Sequence, residues 1–142
     1  MKQFKGRPVA AGKCTAKALV SHNGFNTLAS FQKSLQFGDK TAKCGDQNNP
    51  DIYKKPMIGV ALCLPQTIGS TTGGMVFYTA GALGKLPACM CFSKPIDSLA
   101  AAGAILYYLE FTEHRDIAHI RSISRIDQDD YVWVDKFTIR NL

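Results

Sequence analysis

A seven-residue apolar run, Ile58-Gly59-Val60-Ala61-Leu62-Cys63-Leu64, closed by Pro65, constrains this chain more than any other stretch. It is too short for a typical helix and fits a strand covered on both faces. Through Thr67-Ile68 it leads into Gly69-Ser70-Thr71-Thr72-Gly73-Gly74, and then into a helical pattern from Met75 to Leu83 that Gly84 ends. A strand, a glycine-bounded turn and a helix in that order form an α/β unit. At such a turn, backbone N–H groups and hydroxyls are presented to an anion.

The unit is repeated downstream. Ala88 to Phe92 reads as a second buried strand after Pro87, Ser93-Lys94-Pro95 as its turn, and Ile96 to Leu109 as a helix capped by Asp97 or Ser98. Upstream, Phe4 to Pro8 and Val9 to Val20 are strand-rich, with Gly12 at a turn or bulge. Ser21 to Asn26 is turn-rich, and Thr27 to Phe37 reads as a short helix or an irregular loop with an apolar face. Gly38 to Pro56 is polar, centred on Asp46-Gln47-Asn48-Asn49-Pro50-Asp51, and a loop of that length points to function. In the tail, Ile117 to Ile126 and Tyr131 to Ile139 read as a β-hairpin turning at residues 127–130. This order predicts a layered α/β domain with a mixed sheet rather than a uniformly doubly wound one.

At 142 residues, 46% of them hydrophobic, the expectation is a single domain over residues 1–142. No apolar run reaches the roughly 18–20 residues of a membrane span, and no apolar segment follows the basic N-terminus, so the expected location is cytoplasmic. Five irregularly spaced cysteines argue against a disulfide framework, and the lack of a C-x-x-C pair argues against a zinc or iron–sulfur site within this chain. Cys63, Cys89 and Cys91 read as buried small hydrophobes, and Cys44 as the thiol most exposed. The net charge of +6 is spread along the chain without a dense basic stripe. A small anionic ligand is therefore the expected partner rather than nucleic acid or membrane.

Three segments together resemble the small subunit of aconitase X: F-x-G-R-P-V from Phe4, A-G-x-x-x-A-x-A-L-V-S from Ala11, and G-x-x-L-x-L-P-x-x-x-G-S-x-x-G-G from Gly59. The resemblance runs from about Phe4 to Leu109. It implies the swivelling β/β/α three-layer domain of aconitase-type hydro-lyases, with residues 1–113 as family-like core and 114–142 as a C-terminal β-hairpin extension. It also implies a dehydratase active only with a large subunit that carries an iron–sulfur cluster, none being held by this chain alone. Water would be eliminated from a small hydroxy acid such as cis-3-hydroxyproline, with phosphomevalonate as the alternative substrate.

By position, the resemblance makes Ser70 the base. A serine needs donors around its developing oxyanion, and the backbone N–H groups of Thr71, Thr72, Gly73 and Gly74 are the candidates. With Gly69 these residues form the expected substrate contacts. The polar loop adds Asp46 and Asn48, against the plainer reading of Asx-turns. His22 is the histidine best placed to face a cleft, although a lone histidine in a turn is more often simply solvated. The family pattern carries an arginine just before Gly-Ser, where this chain has Thr67-Ile68, so a bidentate carboxylate ligand is missing. The rival from another class is a non-catalytic anion-binding domain, with Ser70 an ordinary N-cap.

Overall fold

The computed structural model describes residues 2–10, 13–69, 71–110, 116–120, 131–135 and 138–141. Its strands are β1 (Lys2–Ala10), β2 (Lys13–Val20), β3 (Phe25–Asn26), β4 (Ala61–Leu64), β5 (Thr67–Ile68), β6 (Cys89–Phe92), β7 (Asp116–Ile120), β8 (Tyr131–Asp135) and β9 (Thr138–Asn141). The helices are α1 (Thr27–Phe37), α2 (Gly73–Ala82) and α3 (Ser98–Glu110). Seven strands close into a barrel in the order β1-β7-β6-β4-β2-β8-β9, and β9 returns to pair with β1. β2, β4, β6 and β7 are parallel neighbours, while β8 and β9 are antiparallel to each other and flank β2 and β1. This is the expected mixed-sheet β/β/α architecture.

Side-chain size on alternate faces of one sheet explains the layering. Leu19, Leu62, Leu64, Met90 and Phe92 point to the helical side and bury with Phe31, Val76, Phe77, Ala80, Ala100 and Ala104. On the same strands, Ala16, Ala18, Val20, Ala61, Cys63, Cys89 and Cys91 form a second cluster on the opposite face. Large residues fill the gap beneath the helices, and small ones build the opposite face. The Cys14 thiol beside Cys89, together with burial, holds the Cys89 thiol well above its ordinary range. Phe25, Phe31 and Phe77 anchor the helical side, with ring centroids 5.9 to 6.3 Å apart.

Element boundaries follow local chemistry. Thr27–Phe37 is a helix, settled by the Asn26 side chain accepting from Ala29 N and by Gly38 closing the end at φ +71°. β4 starts later than the apolar run because Gly59 turns left-handed at φ +75°. The tail takes another pairing than the hairpin expected between residues 117–126 and 131–139: β8 pairs with β9, in register Val132↔Asn141 to Asp135↔Thr138, and with β2. β7 lies apart from that pair, between β6 and β1. The turn expected at 127–130 lies outside the described residues.

Cys44 needs correction. It is buried, not exposed, because the polar loop folds back on itself. Cys44 N donates to Lys55 O at 3.0 Å, Lys54 N returns to Cys44 O at 2.9 Å, and Gly45 N reaches Ser30 O at 2.9 Å. Ala42, Cys44, Ile52 and Met57 thereby enter the helical-side core. Burial pushes the Cys44 thiol up. Partly exposed Cys14 is instead the most accessible thiol.

Candidate functional site

The turn after β4 opens on a cavity of about 280 Å³ lined by Thr27, Thr67, Ile68, Gly69, Gly73, Asp97 and Leu99. The starts of all three helices meet there: Thr27 is the first residue of α1, Gly73 the first of α2, and Asp97 immediately precedes α3. Each helix start carries partial positive charge on its leading N–H groups, so their convergence favours an anion. Asp97 tempers that field on one side. Its Oδ1 accepts from Leu99 N at 3.0 Å and Ala100 N at 2.9 Å, capping α3 as the sequence suggested.

Gly69 is held by its neighbours. Its φ of +105° is open to glycine and strained for other residues, and a Cβ there would stand 2.9 Å from the Asn26 side-chain amide. Asn26 thus caps α1 and packs against the turn at the same time. β5, which carries Thr67 into the turn, pairs in parallel with β3.

The structure divides the expected site residues into groups. Gly69 and Gly73 line the cavity. Thr71 and Gly74 line an adjoining groove of about 530 Å³ between α2 and α3, with Met75, Tyr78, Leu99, Ala102, Gly103 and Leu106. Thr72 stands exposed at the start of α2 and makes no side-chain cap. Ser70 lies outside the described residues, between cavity-lining Gly69 and groove-lining Thr71 in the chain. Gly74 also has a packing role: a Cβ there would meet the Leu99 carbonyl oxygen at 2.2 Å, and one on Gly103 would meet the Gly74 carbonyl oxygen at 2.0 Å. The two glycines let α2 and α3 touch backbone to backbone.

Asp46 and Asn48 line neither the cavity nor the groove. Buried Asp46 accepts from Asn48 N at 3.0 Å, which is an Asx-turn. The loop does reach the neighbourhood indirectly. Buried Asn49 donates through Nδ2 to Ser21 Oγ at 2.9 Å and to Gly24 O at 3.4 Å, and a Cβ on Gly24 would meet Ile68 at 2.7 Å. His22, highly exposed, donates its backbone N–H to Asp51 Oδ2 at 2.7 Å, with its ring Nδ1 3.3 Å away. That N–H bond holds the Asp51 carboxyl below its usual range.

Thr27 and Thr67 escaped the sequence reading as cavity residues, and Asp97 was seen only as a cap. A cap's second carboxylate oxygen leaves no mark in periodicity or spacing. Among the described residues, no group of three or more His, Cys, Asp or Glu side chains is arranged to hold a metal ion. No helix among the described residues is long and apolar enough to cross a membrane.

Comparison with known proteins bears on the whole chain. The fold is that of aconitase X from Thermococcus kodakaraensis in its holo-form, with a TM-score of 0.84 at 21% identity over 100% of this chain and 99% of the matched one. A UPF0107 protein solved by NMR matches with a TM-score of 0.78 at 18% identity, over 99% of each chain. Shorter likenesses connect the chain to the DNA mismatch repair protein MutS of Flavobacterium psychrophilum, 64% identical over 46 residues, and of Cytophaga hutchinsonii, 53% identical over 47. These take in 32–33% of this chain, which spans only 5–6% of the length of those relatives. The family model for the aconitase X swivel domain matches residues 3–140, so the chain belongs to the aconitase X swivel-domain family.

Proposed function

We propose that this chain is the small subunit of an aconitase X-type hydro-lyase and supplies Ser70 as the base that removes a proton beside the substrate carboxylate. The observation that carries this reading is the cavity flanked by Gly69, where three helix starts converge on the turn that holds the Gly-Ser pair. The field of the α2 start, which has no side-chain cap, favours a carboxylate in the cavity and lowers the cost of a serine alkoxide beside it, with the Asp97 carboxylate opposing on one side. The lack of the family's arginine before Gly69 removes one anion ligand and favours a substrate without a phosphate. Cis-3-hydroxyproline is therefore placed ahead of phosphomevalonate.

The large subunit is the proposed holder of the iron–sulfur cluster, which would supply Lewis acidity toward the leaving hydroxyl. We place that subunit against the groove between α2 and α3. Met75, Leu99 and Leu106 there are 73%, 44% and 53% exposed, and the groove shares Leu99 with the cavity. A cytoplasmic enzyme is the corresponding proposal for location. The stretch shared with the mismatch repair proteins is about a twentieth of their length and brings no repair activity into the proposal.

Co-expression with a large aconitase-like chain and assay against cis-3-hydroxyproline and phosphomevalonate tests this. Ser70→Ala should lower turnover by about 10²–10⁴-fold, the range of general-base catalysis. Turnover that survives Ser70→Ala with only a modest rise in KM would make the chain a substrate-holding domain instead.

A further inference from the structure

We propose that Asp97 is a positioning residue, which fixes Gly69 through Thr67; this rests on the reading of Ser70, the next residue, as the base. Capping α3 occupies only Oδ1 of Asp97, through Leu99 N and Ala100 N. A serine would cap as well. The second oxygen, Oδ2, accepts a hydrogen bond from the Thr67 hydroxyl, 30 residues away in sequence. Thr67 is 7% exposed and stands two residues before Gly69, as the first residue of β5.

The clamp has a mechanical logic. β5 is only two residues long and pairs with an equally short β3, so backbone pairing alone holds the turn weakly. On one side Asn26 crowds Gly69. On the other, Asp97 ties Thr67 to the start of α3, whose Gly103 packs on Gly74 of α2. Asp97 thereby joins β5, ahead of the turn, to α2, behind it. An error on the order of an ångström in placing a reacting group can lower a rate by about 10²-fold.

The test uses the reconstituted complex with cis-3-hydroxyproline. Thr67→Val removes the hydroxyl while keeping the shape, and Asp97→Ser keeps the cap while withdrawing the second oxygen. Each should lower kcat by about 10²-fold; KM should stay nearly unchanged in Thr67→Val and fall in Asp97→Ser, which withdraws a negative charge from the cavity. The double variant should lose no more than either single one, because both break the same contact. Thr67→Ser should restore most of the rate.

Wild-type kcat in Thr67→Val, losses that multiply in the double variant, or an effect on KM alone would each overturn the clamp. Ser70→Ala measured alongside separates the two claims: full turnover in Ser70→Ala with loss in Thr67→Val removes the base and leaves the clamp standing. If neither substrate turns over, amide hydrogen exchange in the complex decides. Exchange at Gly69 and Thr71 rising by about tenfold or more in Thr67→Val, with Cys63 and Phe77 unchanged, supports the clamp; unchanged exchange at Gly69 and Thr71 overturns it.

Discussion

The polar loop from Gly38 to Pro56 and the turn from Thr67 to Gly74 look alike in sequence, yet they place their polar groups differently. The loop satisfies its own. Asp39 accepts from Thr41 N, Thr41 Oγ1 and Lys43 N, Asp46 from Asn48 N, and Asn49 ties the loop to Ser21 and Gly24. Its apolar residues meanwhile enter the core. The turn is short, and its glycines border a cavity and a helix–helix contact. Polarity alone does not mark a site. What distinguishes the two is that the loop's polar groups hold its own shape while the turn's glycines line a cavity.

Substitutions can break this contrast. The largest effect is expected at the helix contact behind the turn. Gly103→Ala drives a Cβ to 2.0 Å from the Gly74 carbonyl oxygen, backbone that cannot swing aside. A loss of about 3 kcal/mol is expected in urea unfolding; wild-type stability would mean that α2 and α3 are not held so closely. Next comes Gly69→Ala, with its positive φ and the Asn26 side chain at 2.9 Å. It should cost about 1–3 kcal/mol and lower kcat of the complex as well.

Asn49→Ala belongs to the loop and should behave otherwise. Leaving Ser21 Oγ and Gly24 O without their buried partner costs about 1–3 kcal/mol in thermal or urea unfolding. Turnover per folded complex should stay unchanged. A kcat defect in Asn49→Ala at full folding would move the loop into the site.

Smaller effects come from charge and thiol chemistry. The Asp51 carboxyl is depressed below 3.8, first by the His22 backbone N–H. A depressed carboxylate contributes stability above its unfolded pKa, and that contribution is lost as pH falls through the lower folded value. Melting temperature should therefore drop on acidification below the ordinary carboxylate range, and Asp51→Asn should flatten that part of the curve. Because Asp51 is 30% exposed, the effect should stay under about 1 kcal/mol. Thiol labelling of the native chain should reach Cys14 first and spare Cys44, whose pKa burial raises. Labelling of Cys44 as fast as in the unfolded chain would show that the loop opens.

Much of the fold was legible because its signals are local. Continuous apolar runs marked β4 and β6, and glycine and proline punctuated α2 and α3 within a few residues of their observed ends. The three sequence patterns pointed to the family that the match over residues 3–140 establishes. Cys44 was misjudged because its burial depends on backbone pairing with Lys54 and Lys55, across a loop whose composition reads as solvated. The tail's β-character was visible. Its pairing was not, since β7 finds its partners in β6 and β1, the latter more than a hundred residues away.

For the site, the sequence by itself determined that a hydroxyl-bearing, glycine-bounded turn follows a buried strand and opens a helix. Strand length, proline and glycine act within a few residues of where they stand, so no distant partner is needed to read them. Only the tertiary structure decided that Thr27, Thr67, Gly73 and Asp97 surround one cavity, and that Gly74 serves helix packing. Those outcomes depend on barrel closure and on how closely α2 and α3 approach. Both are set by side-chain volumes summed over the whole sheet, not by any stretch of the chain read alone.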